Sequence, residues 1–324
     1  MSFSRYNPED SVISSETVVR GLWTGDEITL STFVTQSTPT EYYVDVYKDA
    51  TSTVQFSIQY GNISGSGSLP INQAVSSSTP SRIVYGEYRN LVYGTETVDF
   101  SFNSDVTSSK DIFVINIARN RYKESLQPGS LNLTLTSGSN TIKLIDDSST
   151  TGLTRFIGEN RVYYLISGSN NTAFSTSPYY GMMFPDLNIL ILNATANTSG
   201  SVTGSMAALE TGTSGITSGS FNTVKLYKSI GLGNNFTLQS SETVSSRYFF
   251  TRIKNSEFNY TTNPSIIDDN GNLLYTSLIS NPQTYVTTVG MYNDNNELLA
   301  VAKLSKPLTK DFTKEALIRI KLDY

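Results

Sequence analysis

Two pairs of neighbouring aspartates, Asp146-Asp147 and Asp268-Asp269, are the side chains of this 324-residue chain that best suit acid–base chemistry. The chain contains no Cys and no His, which excludes thiolate nucleophiles, imidazole bases, disulfides and the usual zinc ligands. Carboxylates hydrolyse glycosides when two of them face one substrate about 5–9 Å apart. Neighbouring residues of a strand point to opposite faces, so we interpret both pairs as loop carboxylates at hairpin tips.

Residues 268–272 (DDNGN) also have part of the pattern of a calcium-binding loop. Their oxygen donors follow its first spacing, but the twelfth position is Ile279 where the loop needs a bidentate Glu. Asn270-Gly271 between two extended runs is instead a strong hairpin signal. We therefore expect no metal at this site.

The remaining motifs are weak. Gly231-Leu232-Gly233 lacks the third glycine of a dinucleotide-binding turn, and the basic cluster at residues 119–123 (RNRYK) is typical of a solvated strand end. A net charge of -5 without basic runs argues against a nucleic-acid partner. These observations predict a protein that is not an enzyme, with no catalytic residue, no cofactor and no metal.

Alternation of apolar and polar residues is the recurring pattern of the chain. Residues on alternate positions of a strand face opposite sides, so this alternation predicts half-buried strands. Tyr43, Tyr47, Tyr60, Tyr85 and Tyr163 occupy such positions, which favours packing over a sugar-binding surface. The alternating runs are residues 41–48, 53–60, 111–118, 131–136, 141–145, 161–166 and 316–322.

The sequence thus predicts an all-β fold, with several antiparallel β-sandwich or barrel domains and long Ser/Gly/Asn-rich loops. Helix signals are sparse: residues 205–210 suit one or two turns and residues 310–316 suit one turn. No apolar spacing of i, i+3, i+4, i+7 is found over three turns.

We place three β domains at residues 1–123, 124–220 and 221–324. Residues 193–220 of the middle domain are small, polar and Gly-rich. Such a composition is typical of a flexible linker, and the alternative is an arm that becomes ordered against a neighbouring subunit. Residues 61–80 are a second stretch of this kind.

The end of the sequence has the clearest local pattern. Residues 284–292 alternate, residues 293–296 (NDNN) form a turn and residues 297–304 continue apolar, which predicts a hairpin. Pro307 interrupts this run, and residues 316–324 predict a strand at the chain terminus.

A strand in this position is easily lent to the edge of another sheet, in the same chain or in a partner. We therefore predict that the hairpin and the last strand form an interface. The candidate interface residues are Tyr292, Leu298, Leu299, Val301, Leu304, Ile318, Ile320, Leu322 and Tyr324.

The composition favours surfaces covered by partners. The chain has 46 Ser and 39 Thr, and only 16% of its residues are charged. Hydroxyls pair across an interface without the cost of desolvating a charge. The polar N-terminus lacks the apolar region of a signal peptide, and the longest apolar stretches, such as residues 187–192, are interrupted and too short to span a bilayer. We expect no membrane partner.

Four segments carry a resemblance to a known family. These are residues 2–18 with the following Leu22-Trp23-Thr24, and residues 121–135, 255–265 and 281–324. They resemble virion structural proteins of contractile-tailed phages, in particular those of phages that infect marine cyanobacteria. The resemblance covers most of the chain and is weakest over residues 193–220. It implies a tail or baseplate component of the wedge type, and this family pattern has no catalytic residues.

The leading hypothesis is therefore a non-enzymatic structural subunit of a tailed phage particle, present in several copies or as a homo-oligomer. It would be assembled in the host cytoplasm and located in the virion, with other virion proteins as partners. The alternatives are a head–neck connector or decoration protein, a receptor- or glycan-binding module associated with a fibre, and a glycan hydrolase that uses carboxylates alone.

Overall fold

A computed structural model describes residues 5, 7–36, 42–65, 67, 79–102, 108–175, 179–194, 196, 222–261 and 263–323. The chain divides into two units: a large unit of residues 17–242 and a small unit of residues 1–16 and 243–324. The domain boundaries predicted at residues 123 and 220 fall inside the large unit. Most of the segment predicted as flexible, residues 193–220, lies outside the described residues.

The strands are β1 (Ser11–Gly21), β2 (Thr29–Leu30), β3 (Val34–Thr35), β4 (Tyr43–Tyr47), β5 (Val54–Asn62), β6 (Asp111–Ile117), β7 (Ser125–Leu126), β8 (Asn132–Ser137), β9 (Asn140–Asp146), β10 (Arg155–Ile157), β11 (Asn160–Ser169), β12 (Thr172–Ser175), β13 (Gly181–Phe184), β14 (Ile189–Asn193), β15 (Phe236–Thr237), β16 (Gln239–Ile253), β17 (Thr284–Tyr292), β18 (Leu298–Lys310) and β19 (Ala316–Asp323). The helices are α1 (Pro80–Tyr93), α2 (Ser148–Thr151), α3 (Asn222–Gly233) and α4 (Ser277–Ser280), with 3-10 turns at Pro8–Asp10 and Arg119–Arg121.

The predicted all-β fold is confirmed, and one large antiparallel sheet dominates the large unit. Its strand order is β2-β15-β8-β9-β11-β13-β14-β6-β5-β4-β3, with β10 and β12 paired to β11. The outermost strands β2 and β3 are joined by residues 31–33 alone. So short a connection spans at most about 14 Å, so the two edges of the sheet lie near each other and the sheet is curled.

The central strands of this sheet are buried on both faces. Phe113 and Ile115 of β6 point into the curl, whereas Ile112 and Val114 belong to a second core on the outside. Strands β13 and β14 show the same division. Burial on both faces explains why residues 189–192 (ILIL) are apolar without interruption, since a polar side chain on either face would lose its hydration.

Helix α1 covers the outer core, and it was not predicted from the sequence. Its buried residues Ser81, Val84, Tyr85, Tyr88 and Val92 follow helical spacing. Placing Tyr85 in a strand was therefore wrong. Burial raises the pKa of Tyr85 and of Tyr88 to about 12 each, as expected for core phenols.

Helix α3 packs inside the curl, and it too was not predicted. Leu226 and Ile230 join the inner core. The helix contacts β8 near one edge of the sheet and β4 and β5 near the other. A Cβ atom added to Gly233 would lie 1.9 Å from the carbonyl oxygen of Thr134, so the absence of a side chain lets helix and strand approach closely.

The small unit contains an open sheet and a separate ribbon. The sheet has the order β1-β16-β19, and β16 pairs with β19 from Ser246↔Asp323 to Ile253↔Ala316. Strands β17 and β18 pair only with each other among the described strands, which confirms the predicted hairpin. The helical turn predicted at residues 310–316 is wrong, because β18 continues to Lys310 and a turn leads directly into β19.

Pro307 does not end strand β18. Val286 pairs with Leu308 and Thr288 pairs with Lys303, so residues 304–307 face Thr287 alone. Proline cannot donate to a ladder, and it is tolerated in a strand where the ladder is interrupted by a bulge.

Candidate assembly surface of the small unit

The carboxylates of Asp146 and Asp147 are structural. Asp146 accepts hydrogen bonds from the N–H groups of Gly129 at 2.8 Å and Leu131 at 3.3 Å, and also bonds Ser148. Asp147 accepts the N–H of Tyr164 at 2.9 Å and pairs with Arg155. Both aspartates are buried, so placing this pair at a hairpin tip was wrong.

Burial raises the pKa of Asp146, while hydrogen bonds from Ser148 and from backbone N–H groups oppose the shift. Both carboxylates form hydrogen bonds or an ion pair with other residues of the large unit. They therefore hold neighbouring segments of the chain in place.

The Asp268 loop is a tight turn between the bridged residues Ile267 and Leu273. Asp268 Oδ1 accepts the N–H groups of Asn270 at 2.9 Å and Asn272 at 2.7 Å. These hydrogen bonds lower the pKa of Asp268. Its oxygens thus face N–H groups of their own loop. In the part of the chain that the structure describes, no group of three or more Asp, Glu, His or Cys residues is placed to hold a metal ion.

The basic cluster after β6 is tied to the large unit. Arg121 donates to the hydroxyls of Thr24 at 2.8 Å and Thr53 at 3.0 Å, and Arg119 donates to the carbonyl of Tyr122 at 2.9 Å. Arg121 therefore links three segments of the large unit. No helix within the described ranges is long and apolar enough to cross a membrane.

The two units differ in the extent to which their large apolar side chains are buried. In the described part of the small unit, Phe249 and Ile253 are the two buried large apolar residues, whereas the large unit has two extensive cores. Among the described residues of the small unit, fifteen large apolar or tyrosine side chains are exposed. They are Val12, Ile13, Phe258, Tyr260, Leu274, Tyr275, Ile279, Tyr285, Tyr292, Leu298, Leu299, Val301, Phe312, Leu317 and Leu322.

The ribbon of β17 and β18 has an exposed outer face and a half-buried inner face. Tyr292, Leu298 and Val301 are exposed on the outer face, and Leu299 is exposed at a bulge in the pairing. A Cβ atom added to Gly290 would lie 2.9 Å from the Tyr292 ring and 3.4 Å from Leu298, so both side chains lean over this glycine. Together these residues form a continuous apolar patch.

The tip of the ribbon is well fixed. Asn293 Oδ1 accepts the N–H groups of Asn295 at 3.0 Å and Glu297 at 2.8 Å, and Asn296 adopts a left-handed conformation with φ 63°. Asparagine tolerates this conformation better than most residues, which explains the NDNN turn.

The base of the ribbon is held by a buried lysine. Lys310 Nζ donates to the carbonyls of Asn255 at 2.9 Å and Asp311 at 2.8 Å, and to Asn259 Oδ1 at 2.7 Å. Three acceptors match the three donors of an ammonium group. Next to it, hydrogen bonds from Thr313 and Lys314 lower the pKa of Asp311 to about 2.

The predicted interface residues fall into three groups by solvent exposure and by whether the structure describes them. Tyr292, Leu298, Leu299, Val301 and Leu322 are exposed, Leu304, Ile318 and Ile320 are half-buried, and Tyr324 lies outside the described residues.

Three exposed residues near this surface were missed. Leu317 is 68% exposed, and Tyr285 and Phe312 are also exposed. The period-two pattern selected Ile318, Ile320 and Leu322 as the apolar face of the last strand, so Leu317 on the opposite face went unnoticed. An apolar residue at a position that the alternation assigns to solvent was the available signal.

No protein family model, curated protein or solved structure matches this chain.

Proposed function

We propose that this chain is a non-enzymatic structural subunit of a contractile-tailed phage particle, in the tail or baseplate, that acts by protein–protein assembly. The observation that carries the proposal is the incomplete core of the small unit. Where the structure describes this unit, Phe249 and Ile253 are buried while fifteen large side chains remain exposed. Large exposed apolar surfaces mark interaction sites, because water is expelled from them when a partner binds.

The strand architecture supports the same role. A two-stranded ribbon is marginally stable in water unless another element covers it. Strand β19 is an edge of its sheet, with Leu317 and Leu322 exposed. An edge strand offers unpaired N–H and C=O groups to a neighbouring strand, and apolar side chains beside them add specificity.

The resemblance of four sequence segments to phage virion proteins supports the placement in a particle. The composition, rich in Ser and Thr with only 16% charged residues, supports many subunit contacts, since hydroxyls are cheaper to desolvate than charges. We propose other virion proteins as partners and the virion as location, after assembly in the host cytoplasm.

The first test is mass spectrometry of gradient-purified phage particles from the strain that carries this gene, with tails separated from heads. We expect the chain to follow sheath and baseplate proteins at a low, fixed copy number. Co-fractionation with heads would move the protein to the capsid or neck. Absence from particles would overturn the proposal.

The second test changes Leu317, which is 68% exposed on β19. We expect Leu317→Glu to lower incorporation into particles about tenfold or more, because an unpaired charge in an interface costs ~1.4 kcal/mol or more. Leu153→Glu is the matched control, since Leu153 is 60% exposed in the large unit. Normal incorporation of Leu317→Glu would remove β19 from the assembly surface.

Truncation of residues 316–324 is a harsher variant, because β19 also pairs with β16. We expect it to abolish incorporation. Particles that form normally with the truncated chain would contradict the assembly role of β19.

A further inference from the structure

We infer that a groove along helix α1 binds a neutral saccharide. Binding of a carbohydrate goes beyond the proposed function, because assembly into a particle does not require it. Three properties of the groove lead to this ligand: its shape, the hydrogen-bonding groups that line it and the balance of their charges.

The groove is a cavity of the large unit with a volume of about 640 Å³, which lies in the usual range of ligand sites. Helix α1 forms one wall, and Ile63 after β5 and Glu96 after the end of α1 also line it. The lining residues of α1 run from Arg82 to Asn90, about 12 Å along the helix axis at 1.5 Å per residue. The groove is therefore long enough for more than one sugar ring.

Gly86 lies in the middle of this helical wall. A Cβ atom added to Gly86 would meet nothing within 4 Å. The absence of a side chain therefore leaves the centre of the groove open, and Ile63 and the exposed Ile83 add apolar surface to the same cavity. The C–H face of a sugar ring can pack on such a surface while its hydroxyls bond polar side chains.

The polar side chains that line the groove are free to bond a ligand. Within the part of the chain that the structure describes, no hydrogen bond or ion pair is formed by the side chains of Arg82, Glu87, Asn90 and Glu96. Guanidinium, carboxylate and amide groups are planar and can each bond two neighbouring hydroxyls. The groove thus offers donors and acceptors to a ligand that is rich in hydroxyls.

Arg89 is held in place before a ligand binds. Its guanidinium carbon lies 5.6 Å from the centre of the Tyr85 ring, and its side chain is only 16% exposed. The Nη1 atom is 3.7 Å from a carboxylate oxygen of Asp99, which is beyond hydrogen-bond distance. The ring and the carboxylate therefore orient the guanidinium, while its Nη N–H groups remain available to a ligand.

The charges of the groove favour a neutral ligand. Two arginines, Arg82 and Arg89, are balanced by two glutamates, Glu87 and Glu96. An anionic ligand would lie near the glutamates and a cationic ligand near the arginines, and contacts between like charges weaken binding. A saccharide without carboxylate, sulfate or phosphate groups avoids these contacts and can use all four side chains as hydrogen-bond partners.

The test begins with the full chain on an array of neutral and acidic oligosaccharides, where we expect binding to neutral ones. Isothermal titration calorimetry with the neutral oligosaccharide that binds most strongly then compares variants. Gly86→Leu should lower the affinity about tenfold or more, because the new side chain fills the centre of the groove. Asn90→Ala should lower it about tenfold, since it removes an amide that bonds the ligand.

Gly231→Leu is the matched control for the glycine variant. A Cβ atom at Gly231 of α3 would also meet nothing within 4 Å, and Gly231 does not line the groove. This variant should bind the oligosaccharide like the wild type. Thermal unfolding followed by circular dichroism establishes that both leucine variants are folded.

The outcomes separate the saccharide site from the proposed function. Failure to bind any neutral oligosaccharide, a preference for acidic ones, or wild-type affinity of Gly86→Leu would overturn the saccharide site. Gly86→Leu should enter particles like the wild type. A chain that binds the oligosaccharide but is absent from particles would keep the saccharide site and overturn the proposed function.

Discussion

Asp146 joins two segments of the large unit through one buried carboxylate. It ends β9, and its oxygens accept the N–H groups of Gly129 and Leu131, which precede β8. Because the carboxylate accepts hydrogen bonds from both N–H groups, neither group needs a water molecule as its partner. Its raised pKa reports the cost of burial, and the hydrogen bonds offset that cost.

Replacing Asp146 by Ala should therefore destabilise the large unit. We expect Asp146→Ala to lower the free energy of unfolding by about 1–3 kcal/mol, the usual cost of leaving buried polar groups without partners. Urea unfolding followed by the fluorescence of Trp23, the single tryptophan and a buried residue of the large unit, measures the change.

Asp269→Ala is the control for this experiment, because Asp269 is exposed. It should change the free energy of unfolding by no more than about 0.5 kcal/mol. Equal losses for the two variants would contradict the role assigned to Asp146.

The two aspartate pairs look alike in the sequence, and residues distant in the chain make them different. The partners of Asp146 and Asp147 include Gly129 and Tyr164, each 17 residues away. Asp268 bonds to Asn270 and Asn272 within its own turn, and the sequence predicted this turn correctly. Local hydrogen bonding is visible in a sequence, whereas burial depends on which strands become neighbours.

Two glycines of helix α3 have opposite structural roles. A Cβ atom on Gly233 would collide with the carbonyl oxygen of Thr134 at 1.9 Å, whereas one on Gly231 would meet nothing within 4 Å. Only the first glycine is required for the packing of α3 on β8. The second, Gly231, only increases the conformational entropy that the chain loses when the helix folds.

This difference predicts opposite effects of the same substitution. Gly231→Ala should stabilise the large unit by about 0.5–1 kcal/mol through better helix propensity. Gly233→Ala should destabilise it by about 1–3 kcal/mol, because the helix must move away from β8. Thermal unfolding monitored by circular dichroism compares the two variants. A shift of both melting temperatures in the same direction would be inconsistent with the packing of α3.

The elements were predictable to different degrees. Alternation identified β4, β5, β6, β8 and β11 because each strand carries its own pattern. Helix α1 has buried residues at 81, 84, 85, 88 and 92, so its pattern was present in the sequence. It was missed because tyrosines and valines form most of the buried stripe, and these residue types also suit strands.

The small unit depends on carboxylates that are ionised in the folded state. Hydrogen bonds lower the pKa of Asp311 to about 2, and partners also lower the pKa values of Glu315 and Asp323. A lowered pKa in the folded state stabilises it above the pKa of the unfolded chain. That stability is lost as the pH falls through the folded value.

For Asp311 the affected range is about pH 4 to 2, between its ordinary pKa of 3.8 and its lowered value. We expect the urea midpoint of the small unit to fall across this range. Asp311→Asn should lower the midpoint at pH 5 and flatten its dependence on pH between 4 and 2. Circular dichroism detects this transition, while Trp23 fluorescence follows the large unit. An unchanged slope in Asp311→Asn would contradict the assignment.

The fold class was predictable for the whole chain, but the arrangement of the strands was not. Domain boundaries were predicted at residues 123 and 220. The sheet instead pairs β6 with β14 and β2 with β15 across those boundaries. Such pairings leave no trace in one sequence, because both strands of a pair only need to be apolar. The exposed surface of the small unit was partly predictable, since its hairpin is a local structure.

The pairing of β2 with β15 has a consequence for synthesis on the ribosome. Leu30 pairs with Phe236, and Trp23 Nε1 donates to the carbonyl of Phe236 at 2.9 Å. At about 5–20 residues per second, roughly 10–40 s pass between the synthesis of these partners. Strand β2 therefore remains without its partner β15 while the rest of the large unit is synthesised. The nascent large unit closes last at Trp23, whose indole would report the moment of closure.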